Sequence, residues 1–219
     1  MSQTQQKPKI VCLPNGPYYL LNDMTPVSVP NLRRANGEPC ANVRGVALCR
    51  CGGSKNKPFC DGTHGTNGFR DQNTADRSQN RRVDYVGKRI TIHDNRGICA
   101  HAGFCTDSLE LVFRSGREPW IDPDAARVEE IIQTIKKCPS GALSYSIDNV
   151  EHRDQDRVPM VTVTNNGPYA ITGGIELIGV PFGEGASQEH YTLCRCGASK
   201  NKPFCDGSHW RIGFRDPVR

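Results

Sequence analysis

Short apolar runs separated by polar turns occupy both ends of the chain. Residues 10–13 and 18–21 flank a Pro-Asn-Gly-Pro turn, and residues 160–164 and 169–172 flank an Asn-Asn-Gly-Pro turn. Apolar runs of this length between turn residues are typical of β-strands. In each half a third such run leads into a cysteine-rich stretch, and these runs are residues 46–48 and 191–193. The pattern predicts two small β-rich units, each with a strand that delivers the chain to its cysteines.

The middle of the chain has a different pattern. Residues 82–86 and 89–93 predict a β-hairpin. Asp122 as N-cap and Pro123 as the first helical residue predict the start of a helix. This helix carries an apolar stripe at Val128, Ile131, Ile132 and Ile135. A strand at residues 143–147 follows, so this region is expected to combine helix and sheet.

The two β-rich units are copies of one module. Residues 49–64 read CRCGGSKNKPFCDGTH and residues 194–209 read CRCGASKNKPFCDGSH, which are identical at 14 of 16 positions. Small β units have exposed edges, and two copies in one chain can pair about a pseudo-twofold axis and exchange strands. We therefore predict an α+β protein with modules at residues 1–72 and 158–219 and an α+β insert at residues 83–147. It is expected to be a monomer with an internal pseudo-dimer.

Composition favours metal over disulfides. The 219 residues are 36% hydrophobic and include 11 cysteines, an odd number. Small domains with so few apolar residues usually need a metal or disulfides to stabilise their fold. The polar residues 1–9 lack the apolar stretch of a signal peptide. We expect a cytoplasmic protein, in whose reducing surroundings cysteines more often bind metal. The net charge of +5 is scattered and no window is apolar enough for a membrane span, so neither nucleic acid nor membrane is expected as a partner.

Each copy contains the pattern C-x-C-x8-C-x3-H. Three thiolates and one imidazole within sixteen residues suit tetrahedral metal, which can be zinc or the two irons of a 2Fe–2S cluster. Zinc ribbons usually present C-x2-C pairs. The tighter C-x-C pair therefore favours iron–sulfur, and zinc stays the alternative.

The wider pattern C-x-C-x2-S-x3-P-x-C-D-G-[ST]-H resembles the signature of the CDGSH (NEET) iron–sulfur family at every signature position in both copies. The resemblance implies a strand-exchanged β-cap above the cluster-binding parts. It also implies two 2Fe–2S clusters, one bound by Cys49, Cys51, Cys60 and His64 and the other by Cys194, Cys196, Cys205 and His209. Four further residues are expected to support these ligands without touching metal, and they are Ser54, Asp61, Ser199 and Asp206.

A single histidine ligand changes the charge of such a cluster. An oxidised core of charge +2 with three thiolates has a net charge of −1, against −2 with four. The reduction potential is therefore expected above the roughly −400 mV of plant-type ferredoxins and below the top of the two-histidine Rieske range. Because imidazole must be neutral to bind metal, each cluster is also expected to become labile in mild acid.

The insert resembles a divergent single-cluster ferredoxin domain. The stretch Cys138-Pro-Ser-Gly-Ala-Leu is similar to the closing ligand motif of bacterial-type ferredoxins. Cys99 and Cys105 match the outer cysteines of the C-x2-C-x2-C motif, and Ala102 replaces the central one. Three cysteines could hold a 3Fe–4S cluster, or a 4Fe–4S cluster whose open corner takes His101 or Asp107. The alternative is a relic fold whose cysteines only pack.

These observations favour a non-enzymatic electron carrier that works with a redox partner protein. No nucleophile–base pair, phosphate-binding loop, or flavin or nicotinamide fingerprint is recognisable in the sequence. The alternatives are a redox or iron sensor that passes its cluster to an apo-acceptor protein, and a zinc-stabilised interaction module. The remaining expectations concern side chains without ligand spacing: free thiols at Cys12 and Cys40, surface positions for His93, His152 and His190, and packing of Trp120 under the middle helix.

Overall fold

The computed structural model describes residues 8–22, 25–26, 32–40, 46–76 and 80–216, and the structural statements below concern these ranges. Most of the polar N-terminal stretch considered above lies outside them, as does part of the first module. Within them the chain is a mixed α+β protein built mostly from small sheets. No helix in this part of the chain is both long enough and apolar enough to cross a membrane.

Thirteen short strands and three short helices are present in the described ranges. The strands are β1 (Lys9–Cys12), β2 (Tyr18–Asn22), β3 (Thr25–Pro26), β4 (Leu32–Arg34), β5 (Ala47–Leu48), β6 (Val83–Val86), β7 (Thr91–Asp94), β8 (Leu143–Ile147), β9 (Val150–His152), β10 (Met160–Val163), β11 (Tyr169–Thr172), β12 (Glu176–Ile178) and β13 (Tyr191–Leu193). The helices are α1 (Phe104–Ser108), α2 (Val128–Ile135) and α3 (Ser208–Arg211). The strands expected from the apolar runs are all present, with small differences at their ends.

Each half of the chain donates a strand to the sheet of the other half. In the first sheet β1 pairs antiparallel with β2 and parallel with β12, which comes from the second half. In the second sheet β10 pairs antiparallel with β11 and parallel with β4, which comes from the first half. Strands β5 and β13 pair with β2 and β11 in the same relative places. The expected pseudo-twofold pairing with strand exchange is therefore present in the structure.

One apolar core lies between these two sheets and draws on both halves. It includes Ile10 and Leu48 from the first half and Val161 and Leu193 from the second, all buried. The alternation of buried and half-buried residues along β10 and β11 shows that the second sheet turns one face to this core. Because the core is shared, neither half has a complete apolar interior of its own.

The insert forms a separate antiparallel sheet in the order β6-β7-β8-β9. Helix α2 packs on it through Ile131 and Ile135, and Trp120 lies in the same apolar cluster, as expected. The expected start of the helix at Pro123 is wrong, because α2 begins at Val128. The Asp122 carboxylate accepts the backbone N–H of Asp124 instead, so it closes a tight turn before the helix.

Two histidines expected at the surface are buried, and that expectation is wrong. His93 donates or accepts at both ring nitrogens, with Asp84 at 2.8 Å and Ser146 at 2.7 Å on neighbouring strands. His190 places Nδ1 2.8 Å from a carboxylate oxygen of Glu189. Partners on the two adjacent strands satisfy the ring of His93, and sequence spacing alone does not reveal such contacts. His152 is exposed, as expected.

Candidate metal centres

The first copy brings its four candidate ligands together as two pairs. The Sγ atoms of Cys49 and Cys51 lie 3.9 Å apart, directly after strand β5. The Sγ atom of Cys60 lies 3.3 Å from Nδ1 of His64, which stands in a short 3-10 turn. A strand end and a helical turn thus each supply one pair of donors.

The second copy repeats this arrangement. The Sγ atoms of Cys194 and Cys196 lie 3.8 Å apart after strand β13. The Sγ atom of Cys205 lies 3.4 Å from Nδ1 of His209 in α3. In both copies Nδ1 is the ring nitrogen that faces the thiol, so it is the candidate metal-binding atom.

The pairing of donors tests which metal group fits. Two thiolates on one tetrahedral metal at about 2.3 Å would lie about 3.8 Å apart, and each Cys-Cys pair has this spacing. Among the described residues, however, no group of three or more His, Cys, Asp or Glu side chains is placed to hold a single ion. Each pair of donors is therefore spaced to bind one metal ion, and a 2Fe–2S cluster needs two such pairs.

Burial makes several of the free thiols in the two copies weaker acids. Burial raises the pKa of Cys49 to about 11, and it also raises the pKa of Cys60 and Cys205. In the second pair, the hydrogen bond between the two thiols lowers the pKa of Cys194 and raises that of Cys196. Since metals bind the thiolate, the positive charge of a bound metal would have to drive deprotonation.

Ser54 and Asp61 hold the shape of the first ligand loop. The Ser54 hydroxyl donates to the carbonyl of Phe59 at 2.7 Å. The Asp61 carboxylate accepts the hydroxyl and the backbone N–H of Thr63 and the backbone N–H of Lys55. These hydrogen bonds, the Thr63 hydroxyl first, hold the pKa of Asp61 well below its usual range. Both side chains thus form hydrogen bonds within the ligand loop.

Ser199 and Asp206 do the same in the second loop. The Ser199 hydroxyl donates to the carbonyl of Phe204 at 2.6 Å. The Asp206 carboxylate accepts the backbone N–H groups of Lys200 and Ser208 at 2.9 Å. Burial disfavours the charged carboxylate, but bonds from Ser208 and Lys200 outweigh burial and lower the pKa of Asp206.

Each half contains one tyrosine that forms hydrogen bonds with the ligand loop of the other half. The Tyr18 hydroxyl donates to the carbonyls of Cys194 and Pro203 at 2.9 and 3.0 Å. The Tyr169 hydroxyl donates to the carbonyls of Cys49 and Pro58, both at 2.9 Å. The two rings meet edge to face, with centroids 6.0 Å apart. The spacing of metal ligands does not reveal this role, although the Asn-Gly-Pro-Tyr repeat at residues 15–18 and 166–169 is a signal for it.

The arginine inside each C-x-C pair is buried. Arg50 lies over the ring of Tyr18 at 5.1 Å and pairs with Asp71. Arg195 lies over the ring of Tyr169 at 5.7 Å and pairs with Asp216. Their side chains are at most 3% exposed, so these arginines cannot form a docking surface for a protein partner. They place positive charge within the fold beside the candidate centres.

The two sites differ in burial despite their nearly identical sequences. Cys205 and His209 are buried, with 2% and 5% of their surface exposed, whereas Cys60 and His64 are only partly buried. The two C-x-C segments meet at the pseudo-twofold axis, where Cys51 and Cys196 form a β-bridge. The sites are therefore adjacent but open to solvent to different degrees.

The three cysteines of the insert line one cavity. Cys99, Cys105 and Cys138 surround a space of about 190 Å³, far more than the about 15 Å³ that one water needs. His101 also lines this cavity. The Asp107 side chain lies beside the backbone of Gly103 at the start of α1, outside the lining residues. Of the two proposed extra ligands, the geometry therefore places His101 closer to the cavity.

Two buried polar atoms beside this cavity lack a hydrogen bond of normal geometry. They are Nε1 of Trp120 and Oδ1 of Asp94, and both residues line the cavity. Burial raises the pKa of Asp94 to about 7. The Arg96 guanidinium lies 4.0 Å from the ring of Trp120 and 4.0 Å from Sγ of Cys99. An N–H donor and a cation next to three thiols suit an anionic iron–sulfur cluster, so the lining fits such a group.

Comparison with known protein families agrees with this layout. The family described as "Iron-binding zinc finger CDGSH type" matches residues 15–65 and 166–210. The family described as "Divergent 4Fe-4S mono-cluster" matches residues 85–148, between the two CDGSH regions.

Similar curated proteins include "Uncharacterized protein YjdI" from Escherichia coli strain K12 and its counterpart from Escherichia coli O157:H7. Each is 41% identical over 61 residues, which is 28% of this chain and 80% of the relative. No solved structure matches the chain significantly.

Proposed function

This chain belongs to the iron-binding CDGSH zinc-finger family, and we propose that it is an electron-transfer protein with two 2Fe–2S centres and a third, cuboidal iron–sulfur centre in the insert. The main support is the division of each CDGSH donor set into a thiol pair and a thiol–imidazole pair. When bound, such clusters accept and return single electrons.

Each half of the chain would hold one iron through its C-x-C thiolates and the other through its cysteine and histidine. Ser54 and Asp61, like Ser199 and Asp206, fix the loop so that these pairs need not rearrange. Arg50 and Arg195 supply buried positive charge that offsets the charge of an added electron. In this proposal the residues bind and tune the centres, and no catalytic turnover is assigned to the chain.

In the insert, Cys99, Cys105 and Cys138 would hold the third centre. The cavity they share, with Nε1 of Trp120 buried beside it, supports this assignment. His101 is the candidate for an open fourth corner. A protein redox partner would exchange electrons with these three centres.

Metal and sulfide analysis of anaerobically purified protein tests the proposal. Two 2Fe–2S clusters give about four irons per chain, and a third cluster raises the number to about seven or eight. Cys138→Ser should remove only the increment of three or four, and the matched Cys12→Ser variant should remove none. A colourless protein with zinc and no acid-labile sulfide would refute the proposal and favour the zinc-stabilised module.

Cluster delivery to an apo-acceptor protein is the second candidate function, because the ligands of the first site are more open than those of the second. Repeated reduction and oxidation with no loss of iron supports electron transfer. Iron and sulfide that move to an apo-ferredoxin within the time of mixing support delivery.

A further inference from the structure

The second CDGSH site makes direct contact with the cysteine loop of the insert, and the first does not have an equivalent neighbour among the described residues. A Cβ atom added at Gly207 would lie 3.0 Å from Cβ and 3.1 Å from Cδ2 of His101. A Cβ added at Gly62, the corresponding glycine of the first copy, would meet no described atom within 4 Å. The insert thus covers one of two nearly identical loops.

His101 is the link in this contact. It lies in the chain between Cys99 and Cys105 and lines their cavity, while its ring rests against Gly207, which lies between Cys205 and His209. One residue therefore touches both the cavity of the insert and the second ligand loop. Part of its surface remains exposed.

Hydrogen bonds hold the two loops in this position. The Asn201 side chain donates to the carbonyl of Gly97 at 3.0 Å, two residues before Cys99. Asn73 in turn donates to the Asn201 side chain at 3.1 Å and to the carbonyl of Lys202 at 2.9 Å. Asn201 is buried, whereas the corresponding Asn56 of the first copy is exposed.

The two CDGSH sites are joined separately, at the pseudo-twofold axis. Cys51 and Cys196 form a β-bridge, and a Cβ at Gly52 or Gly197 would lie 2.4 Å from the carbonyl oxygen of the opposite cysteine. Backbone there lies against backbone, because glycine leaves no side chain between the loops. The second site thus has a close neighbour on each side.

We propose that the second CDGSH site is the middle member of a series that runs from the first site through the second to the insert, and that His101 is the positioning residue that holds the insert site against the second. The inference rests on the proposed electron-transfer function. One electron that leaves a reduced centre enters its oxidised neighbour, and external one-electron donors and acceptors supply and remove it. No bond or proton changes hands within the series.

Matched glycine variants test this arrangement. Gly207 and Gly62 both have a positive φ, 79° and 86°, so alanine imposes a similar backbone strain at each. Only Gly207→Ala also pushes His101 away. The measurement is the EPR spectrum of the dithionite-reduced protein, in which spin–spin interaction between the second and insert centres broadens the signals. We expect the spectrum of Gly207→Ala to lose this broadening. Gly62→Ala should keep it, and this control shows the effect of the backbone strain without any displacement of His101.

A second pair of variants avoids the strained position. Asn201→Asp loses the donor to Gly97 and sets a carboxylate against a carbonyl, and Asn56→Asp is its matched control. We expect loss of the broadening in Asn201→Asp and retention in Asn56→Asp.

If the two variants of each matched pair gave the same EPR spectrum, the proposed order of the three centres would be overturned. An iron content of about four per chain, with normal 2Fe–2S spectra, would also overturn it but leave the two CDGSH centres of the proposed function standing. Absence of iron and sulfide altogether would instead refute the proposed function itself.

Discussion

The phenolic oxygen of Tyr18 lies 2.9 Å from the main-chain oxygen of Cys194, 176 residues further along the chain. The same hydroxyl also reaches the carbonyl of Pro203, so it holds the two ends of the second ligand loop together. Tyr169 mirrors it on the first loop. The integrity of each candidate centre therefore depends on a residue from the opposite half.

Tyr18→Phe is expected to loosen the second site rather than the first. Loss of two hydrogen bonds from a buried hydroxyl should lower the free energy of unfolding by about 1–2 kcal/mol. A more specific measurement is the rate at which the visible absorbance of the cluster disappears after a chelator is added. It is made in protein that also carries Cys60→Ser, so that only the second CDGSH site contributes. We expect this rate to rise.

Tyr191→Phe is the control for that substitution, because the Tyr191 hydroxyl donates to the carbonyl of Ile175 within its own half. It should lower stability by about 1 kcal/mol without speeding loss of the cluster. If both variants lose the cluster at the same rate, the contact from Tyr18 to the opposite loop has no specific role.

Replacing the histidine of either site by cysteine should lower its reduction potential. His64→Cys and His209→Cys each exchange a neutral ligand for a thiolate and so add one negative charge to the centre. The potential should fall toward the roughly −400 mV of all-cysteine ferredoxins. Redox titration followed by visible absorbance measures it, and an unchanged potential in both variants would contradict the charge argument.

Arg195→Met should destabilise the fold strongly. The side chain is fully buried and pairs with Asp216, and its Nε and Nη2 donate to the carbonyls of Gly167 and Thr164. Removing one partner from such a network leaves unpaired polar groups and typically costs about 3 kcal/mol. Urea unfolding at neutral pH provides the measurement. Arg70→Met, at an exposed position, should stay within about 0.5 kcal/mol of the parent.

His190 should make stability fall as the pH drops below about 6.5. Burial, with a smaller contribution from Arg157, lowers the pKa of His190, although Glu189 opposes this shift. Between its lowered native pKa and its unfolded pKa of about 6.5, the unfolded chain binds more protons than the native one. The contribution of the neutral His190 ring to the free energy of unfolding is therefore fully present above this pH window. It decreases as the pH falls through the window.

The His190→Gln variant isolates this effect. The difference in urea midpoint between parent and variant should shrink from pH 7.5 to pH 5.5, because only the parent carries the titrating ring. Taking the difference removes any acid sensitivity that the two proteins share. A constant difference across this range would show that His190 does not contribute.

The sequence predicted the local features of the fold and sites well. The repeated C-x-C-x8-C-x3-H pattern located the donor pairs, because the ligands lie within sixteen residues and their spacing fixes a strand end and a helical turn. The apolar runs located the strands for the same reason. Local spacing carries this information directly.

What the sequence could not give depends on contacts between distant segments. The partners of His93 lie on the two strands beside its own, so its burial was missed. The predicted start of α2 was wrong because an aspartate such as Asp122 is favourable both as a helix N-cap and as a turn residue. The difference between the two ligand loops was invisible, because their sequences are almost the same and only the packing of His101 separates them.

The reciprocal exchange of β4 and β12 means that covalent continuity through the insert is not what keeps the halves together. A protease nick in the loop between β9 and β10 would leave two fragments still joined by the β1–β12 and β4–β10 ladders and by the common core. Such fragments should co-elute under native conditions and separate only in denaturant. Expressed apart, they should form a complementation pair in which neither CDGSH centre matures before the two fragments meet.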